Sequence, residues 1–369
     1  MSNGFFKNFL KKISKINILL IINVLLIFIL SLSTIYSATL SKSSSFFKKE
    51  IIWFIIAFLV FLFISFIDYR KYSKYSSYLY IFNLLLLVSV LVFGTKRLGA
   101  RRWLDLGPIT IQPSEFAKLF LILTFSAFLV KNYSEKYMGF KSMFISFLHI
   151  FPVFFLILIE PDLGTSLVVI LVYGVLLFLN RLDWKCIVAV FLSVFFFLPF
   201  AYKFLLKEYQ RNRVNTFLSP ENDALGTGWN ISQSKIAIGS GQIYGKGFMN
   251  NTQGKLRFLP ESHTDFIGSV FLEERGFIGG SILILLYIFL LAQIIYIADT
   301  TEDQFGKLIC YGIATIFFFH IFVNLGMIMG IMPVTGLPLL LMSYGGSSLV
   351  FSFLMLGVVQ SVKIHRGIK

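Results

Sequence analysis

Ile16-Asn-Ile-Leu-Leu-Ile-Ile-Asn-Val-Leu-Leu-Ile-Phe-Ile-Leu-Ser-Leu-Ser-Thr-Ile35 decides the fold. As a helix rising about 1.5 Å per residue, the run is long enough to cross a hydrocarbon core of about 30 Å. Lys7, Lys11, Lys12 and Lys15 precede it, as in a signal peptide, but the run is too long and no small-x-small cleavage site follows. It reads as a first transmembrane helix. Similar blocks recur, and ten spans are predicted at roughly 16–36, 49–67, 78–94, 114–131, 142–159, 163–180, 184–201, 265–298, 306–332 and 345–363. Lipid forbids unpaired backbone, and blocks this long and continuous are not barrel strands. The expected fold is all-α: a polytopic integral membrane protein of about ten transmembrane helices, with one long loop at 202–264 between spans 7 and 8. No segment between spans is large enough to fold alone, so residues 1–369 read as a single membrane domain.

Composition agrees. The chain is 57% hydrophobic and only 14% charged, with a mean hydropathy of +0.80. Its net charge of +15 does not indicate nucleic acid, because the lysines and arginines sit in loops, where they set topology and meet anionic head groups. Cys186 and Cys310 lie within apolar blocks and imply neither a disulfide framework nor a metal site. His149, His263, His320 and His365 are scattered, which disfavours a histidine metal cluster. An even number of spans puts both termini on one side. Segments on that side hold sixteen lysines and arginines, against seven in the short loops opposite, so the termini are expected in the cytoplasm.

The outer loops are still basic, and they carry the unusual segments. Gly99-Ala-Arg-Arg-Trp-Leu-Asp-Leu-Gly-Pro108 is followed by Gln112-Pro-Ser-Glu-Phe-Ala-Lys118, which reads as a helix start with Pro113 at its first position and Glu115 as a capping acid. Glu115 and Lys118, three apart, share a helix face. They fit a structural ion pair or a lysine that holds a substrate phosphate. Arg101 and Arg102 fit interfacial anchors or an anion site. Glu160-Pro-Asp-Leu-Gly-Thr165 is a tight connection whose acids suit the positive end of a helix. The 202–264 loop is too long for a simple connection. Its 203–213 portion looks like a basic interfacial helix, and its glycine-lysine segment at 239–247 is a weak phosphate loop, lacking the flanking strand and helix of a nucleotide fold. After span 9, Met332-Pro-Val-Thr-Gly-Leu-Pro338 and Ser343-Tyr-Gly-Gly-Ser-Ser348 break helices in the manner of segments that line a cavity.

Most ionisable of all is Leu259-Pro-Glu-Ser-His-Thr-Asp-Phe-Ile-Gly-Ser-Val-Phe-Leu-Glu-Glu-Arg-Gly276. Charge at the mouth of a membrane segment is costly and marks functional sites. Asp265 fits a helix cap or first-turn acid, and equally a general base at the membrane edge, with Glu261 able to share that role. Glu273, Glu274 and Arg275 fit an interhelix network. One acid, several cations and a long loop on one face suit a lipid-linked anionic substrate.

At these residues the chain resembles the SEDS family (shape, elongation, division, sporulation). The matching segments are Arg102-Trp-Leu-Asp-Leu-Gly, Gln112-Pro-Ser-Glu-x-x-Lys118, Pro161-Asp-Leu-Gly-Thr165, Gln233-Ser-Lys-Ile-Ala-Ile-Gly-Ser-Gly241, Leu259-Pro-Glu-x-His-Thr-Asp-Phe-Ile267, Gly336-x-Pro-Leu and Ser343-Tyr-Gly-Gly-Ser347, in family order over nearly the whole chain. Gln233 to Gly241, with Gly245-Lys-Gly247 after it and Thr335 in the turn after span 9, resembles the elongation, RodA-like branch more than the division branch. Gln242 and Leu340 depart from a usual glycine and proline and bear on local backbone shape.

The resemblance implies a peptidoglycan glycosyltransferase of the bacterial cytoplasmic membrane that polymerises lipid II on its outer face during elongation. Its implied partners are a class B penicillin-binding protein, undecaprenyl-diphosphate-linked glycan and the elongation machinery. The family's essential aspartate matches Asp265. Expected substrate-side residues are Arg102, Lys118 and the Glu115 that orients it, then Glu261 and His263, with Lys235 and Arg257 weaker. No cofactor is required by the pattern, though a divalent cation (Mg2+ or Mn2+) is compatible. The alternatives are a lipid II flippase, which would make no glycan when pure, and a non-catalytic scaffold that activates the penicillin-binding protein.

Overall fold

Apolar segments that enter lipid must satisfy their own backbone, and here they do so as helices. A computed structural model of the chain describes residues 12–39, 45–97, 100–105, 107, 110–133, 137–204, 211, 215–217, 219, 226–256 and 258–366. Helices α1 (Ile18–Thr39), α2 (Ser45–Phe66), the short α3 (Arg70–Lys74) and α4 (Ser76–Phe93) lead into a small sheet. Its strands β1 (Thr95–Arg97), β2 (Ala100–Asp105) and β3 (Thr110–Ile111) pair antiparallel in that order. Then follow α5 (Pro113–Tyr133), α6 (Phe140–Ile159), α7 (Leu163–Leu179), α8 (Trp184–Phe204), α9 (Thr227–Gly241), α10 (Ile267–Asp299), α11 (Gln304–Ile328) and α12 (Gly346–His365).

Among the described residues, α1, α2, α4, α5, α6, α10, α11 and α12 are long and apolar enough to cross a membrane. The two other predicted spans fall on α7, a shorter apolar helix of 17 residues, and on α8, with 21. The sheet is the departure from an all-helical expectation. Its backbone lies outside the apolar blocks, where no helix pattern exists, so strand pairing supplies the partners that main-chain groups require. That pairing sets Arg102 on the middle strand.

Burial sorts the helices. α5, α11 and α12 are mostly enclosed by protein, whereas α2, α4 and α6 present most of their length outward. Small residues let the inner helices approach. A Cβ on Gly312 of α11 would meet Ile122 of α5 at 2.9 Å, and one on Gly357 of α12 would meet the Phe61 carbonyl of α2 at 3.0 Å.

α10 is broken at Gly276, where φ is 62° and ψ is −162°. A break leaves main-chain groups without helical partners. The segment after α9 supplies them: Lys246 N and Gly247 N donate to the Glu273 and Glu274 carbonyls at 3.0 and 2.9 Å, and Phe277 N and Ile278 N donate to the Gln242 and Ile243 carbonyls at 2.8 and 3.1 Å. The glycine-lysine segment is thus a backbone splint. Glu273 accepts from Lys246 Nζ, Thr252 Oγ1 and Thr252 N at 2.6, 2.6 and 2.9 Å. Glu274 accepts from Ser37 Oγ, and from Asn251 Nδ2 at 2.6 Å. Arg275 donates to Ser33 Oγ at 2.6 Å. These three charges form the expected network between α10, α1 and the loop.

Candidate active site

α10 starts at Ile267 with Phe266 as its N-cap and no side-chain cap hydrogen bond. Asp265 lies one residue before that N-cap. Its main chain is anchored. Asn324 Nδ2 of α11 donates to the Asp265 carbonyl at 3.0 Å and to the Leu337 carbonyl at 2.9 Å. Ser343 Oγ donates to the Thr264 carbonyl at 2.8 Å and accepts from Leu339 N at 2.9 Å. Tyr344 N donates to the His263 carbonyl at 3.0 Å. Residues 263–265 are therefore stitched to 337–344. The Asp265 carboxylate, half-buried, faces Gly336, where a Cβ would come within 3.9 Å of Oδ2. Gly336 also has φ +76°, a backbone state that favours glycine.

Lys118 lies behind that segment. It is 1% exposed, with Nζ 3.0 Å from Glu115 Oε1 and 3.0 Å from His320 Nε2. The Phe351 ring centroid is 4.8 Å away. Glu115 therefore serves Lys118 through its side chain and does not cap α5. His320 Nδ1 lies 3.0 Å from the Pro338 carbonyl, which ties the pair to the segment facing Asp265.

Arg102 reaches across from β2. It donates through Nε to the Glu160 carbonyl at 3.2 Å and through Nη2 to the Pro161 carbonyl. Asp162, the N-cap of α7, accepts from Thr165 N at 3.3 Å, and from Gln112 Nε2 and Ser114 Oγ at 3.1 Å each. Gly164 then packs on the same 335–337 segment, since a Cβ there would meet Leu337 at 3.1 Å and the Thr335 carbonyl at 3.2 Å. Burial pushes the Glu160 carboxyl up to about 9, with nearby Asp162 adding and Arg102 opposing. At neutral pH Glu160 is thus largely protonated.

The remaining predicted residues spread more widely. Glu261 is exposed and accepts from Thr264 Oγ1 at 2.8 Å. The His263 ring lies 5.2 Å from Phe46 and 5.7 Å from Tyr344. Lys235, exposed on α9, lies over Gly330 beyond the end of α11, where a Cβ would come within 2.6 Å of its Nζ. Arg257 and most of the predicted 203–213 helix fall outside the described residues. Sequence reasoning did not single out His320 and Asn324, and read Ser343 only as part of a helix-breaking motif. The available signal was the polar pair His320 and Asn324, one turn apart inside an apolar block. Among the described residues, no group of three or more His, Cys, Asp or Glu converges as a metal cage.

The starts of α5 and α7 join through Ser114 and Asp162, and the starts of α7 and α10 pack on the 335–344 segment that leads into α12, so four partial positive helix ends lie near one another. Spanning helices around a buried charged cluster, with an anchored acid beside it, define a multi-pass membrane protein with a polar site between its helix ends. Residues 12–367 match the cell cycle protein family named for FtsW, RodA and SpoVE, and the chain belongs to that family. Relatives include the peptidoglycan glycosyltransferase MrdB of Escherichia coli (strain K12), 44% identical over 288 residues that cover 78% of this chain and 77% of that protein. The peptidoglycan glycosyltransferase RodA of Treponema pallidum is 31% identical, with 97% of this chain and 99% of that protein covered. Among solved structures, one reported as structural coordination of polymerization and crosslinking by a peptidoglycan synthase complex matches with a TM-score of 0.83 and 32% identity, over 96% of this chain and 99% of that one. The rod shape determining protein RodA of Thermus thermophilus matches with a TM-score of 0.72 and 29% identity, over 96% and 98%.

Proposed function

We propose that this chain is a peptidoglycan glycosyltransferase that polymerises lipid II on the outer face of the bacterial cytoplasmic membrane during elongation and shape maintenance. Family membership and relatives that carry this activity in their names support the class of reaction. The observation that carries the site is Asp265: it lies just outside the start of α10, its main chain is pinned by Asn324, and its carboxylate faces a glycine.

Asp265 takes the proton from the sugar 4-hydroxyl of an acceptor lipid II. The oxygen attacks the anomeric carbon of the growing chain, a new glycosidic C–O bond forms with inversion, and the bond to the diphosphate breaks. Undecaprenyl diphosphate leaves with the electron pair. Positive charge offsets the negative charge that develops on it. Arg102 and the four helix starts supply that charge, with Lys118 behind them. Glu261, His263, Lys235 and Arg257 are proposed glycan or diphosphate contacts farther out. The chain acts as one membrane domain with ten spans and both termini in the cytoplasm. Its partner is a class B penicillin-binding protein of the elongation machinery, a reading supported by the likeness to a complex reported to couple polymerization and crosslinking.

The test is lipid II polymerisation by purified protein with its partner. Asp265→Asn is expected to lower the rate by about 10²- to 10⁴-fold, the usual range for loss of a general base. A rate near wild type would remove Asp265 from that role.

A further inference from the structure

Spacing alone lets Lys118 reach a phosphate, but its surroundings do not. The ammonium is enclosed by Glu115 Oε1 at 3.0 Å, His320 Nε2 at 3.0 Å and the Phe351 ring at 4.8 Å, with 1% of the residue exposed. A diphosphate at the Asp265 surface would have to displace these partners to touch it.

His320 explains what Lys118 does there. A carbonyl oxygen only accepts, so the 3.0 Å contact to Pro338 requires the proton on Nδ1. A neutral ring then presents a lone pair at Nε2, and Lys118, which only donates, meets it. An imidazolium would set N–H against the ammonium, so this arrangement holds His320 neutral. The ionisable groups facing it are Lys118 and, through Lys118, Glu115. His320 is fully buried on α11, one turn before Asn324. Those two residues grip consecutive carbonyls, Pro338 and Leu337, of the segment whose Gly336 faces Asp265.

We propose that His320 is a positioning residue for glycosyl transfer: it joins the Lys118 ammonium to the Pro338 carbonyl, and Lys118 acts on the reaction through this bridge and not by touching the diphosphate. The proposal rests on the glycosyltransferase reading above. Removing the bridge lets 336–338 shift against Asp265, and displacements of about 1 Å near reacting atoms cost on the order of 10²-fold in rate.

The experiment compares steady-state polymerisation of lipid II by the wild-type complex, His320→Phe, His320→Gln, Lys118→Met and the Lys118→Met/His320→Phe double variant. Glutamine keeps one donor and one acceptor two bonds apart, as the imidazole does. We expect His320→Phe and Lys118→Met each to lower kcat by about tenfold or more with KM within about twofold, the signature of lost positioning and not of lost substrate contact. The double variant should be no slower than the slower single, because both cut one bridge. His320→Gln should recover most of the rate with an unchanged pH profile.

Wild-type kcat in His320→Phe overturns the proposal, as does Lys118→Met raising KM alone. A folded but inactive His320→Gln would make the ring a proton carrier and also overturns it. Thermal unfolding and co-purification with the partner check folding, and if His320→Phe fails them, His320→Gln and Lys118→Met carry the comparison. An active Asp265→Asn enzyme would sink the base assignment alone, leaving these ratios readable. Independently of activity, ¹⁵N shifts assigned by loss in His320→Gln must show Nδ1 protonated and Nε2 bare. The opposite tautomer refutes the bridge.

Discussion

Glu160 stands one turn before Gly164, which packs on 335–337, and Asp265 faces the same segment; their surroundings treat the two acids differently. Glu160 is buried at the end of α6, with neither carboxylate oxygen hydrogen-bonded among the described residues. Unfolded, its carboxyl ionises near 4.5; folded, burial holds it protonated up to about 9. The folded chain keeps a proton that the unfolded chain loses, so the stabilisation is complete below about 4.5 and is lost as the pH climbs toward about 9. Glu160→Gln keeps the shape without that ionisation. Its Tm should match wild type at the acid end and exceed it progressively toward pH 9. A pH-independent difference in Tm would refute this account. The sequence showed that Glu160 and Asp162 sit in a tight turn, but not that one is neutral and the other fully hydrogen-bonded. Those states depend on Arg102, Gln112 and Ser114, which arrive from other elements.

At the scale of elements, the break in α10 is a matched joint. A Cβ on Gly276 would lie 2.3 Å from Gly245 N, and one on Gly245 would lie 2.2 Å from the Glu274 carbonyl. Gly276→Ala must therefore both strain φ and push the splint away, at a cost of about 1–3 kcal/mol for the backbone alone. It should lower Tm by several degrees. Gly174→Ala in α7, where a Cβ meets nothing within 4 Å, should hold or raise it. Equal effects in thermal unfolding would refute the joint. Gln242, which departs from the glycine the family resemblance implies, has φ +49° at the turn leaving α9. Gln242→Gly should be tolerated without loss of Tm. The glycine-lysine segment was recognisable as something other than a phosphate loop, because no nucleotide fold surrounds it. That it splints α10 was invisible, since the carbonyls it pairs with are exposed only by the break.

At the scale of the molecule, the loop distribution of lysine and arginine sets an expected topology. Asn250 in the long loop and Lys74 at the end of α3 are both exposed, and on opposite sides in that scheme. Asn250→Cys should react with a membrane-impermeant maleimide in intact cells, and Lys74→Cys only after lysis. Reversed labelling would invert the topology and place the site in the cytoplasm. Residue order alone was enough to make the chain a helical membrane protein, to place its apolar helices, to assign its family and to mark the acid to suspect. Period, length and apolar content are local properties, and lipid leaves such segments one way to satisfy their backbone. It took packing between elements to set Asp265 outside its helix, to enclose Lys118 between Glu115 and His320, and to let α11 hold the segment facing the acid. Enclosure of Lys118 depends on a contact between residues 202 positions apart, and the hold of α11 on 337–338 spans 13 and 18 positions across a helix break that no helical period registers. The place of Asp265 depends on where α10 begins, which the anchoring of 263–265 by α11 and 343–344 sets and helix periodicity alone does not.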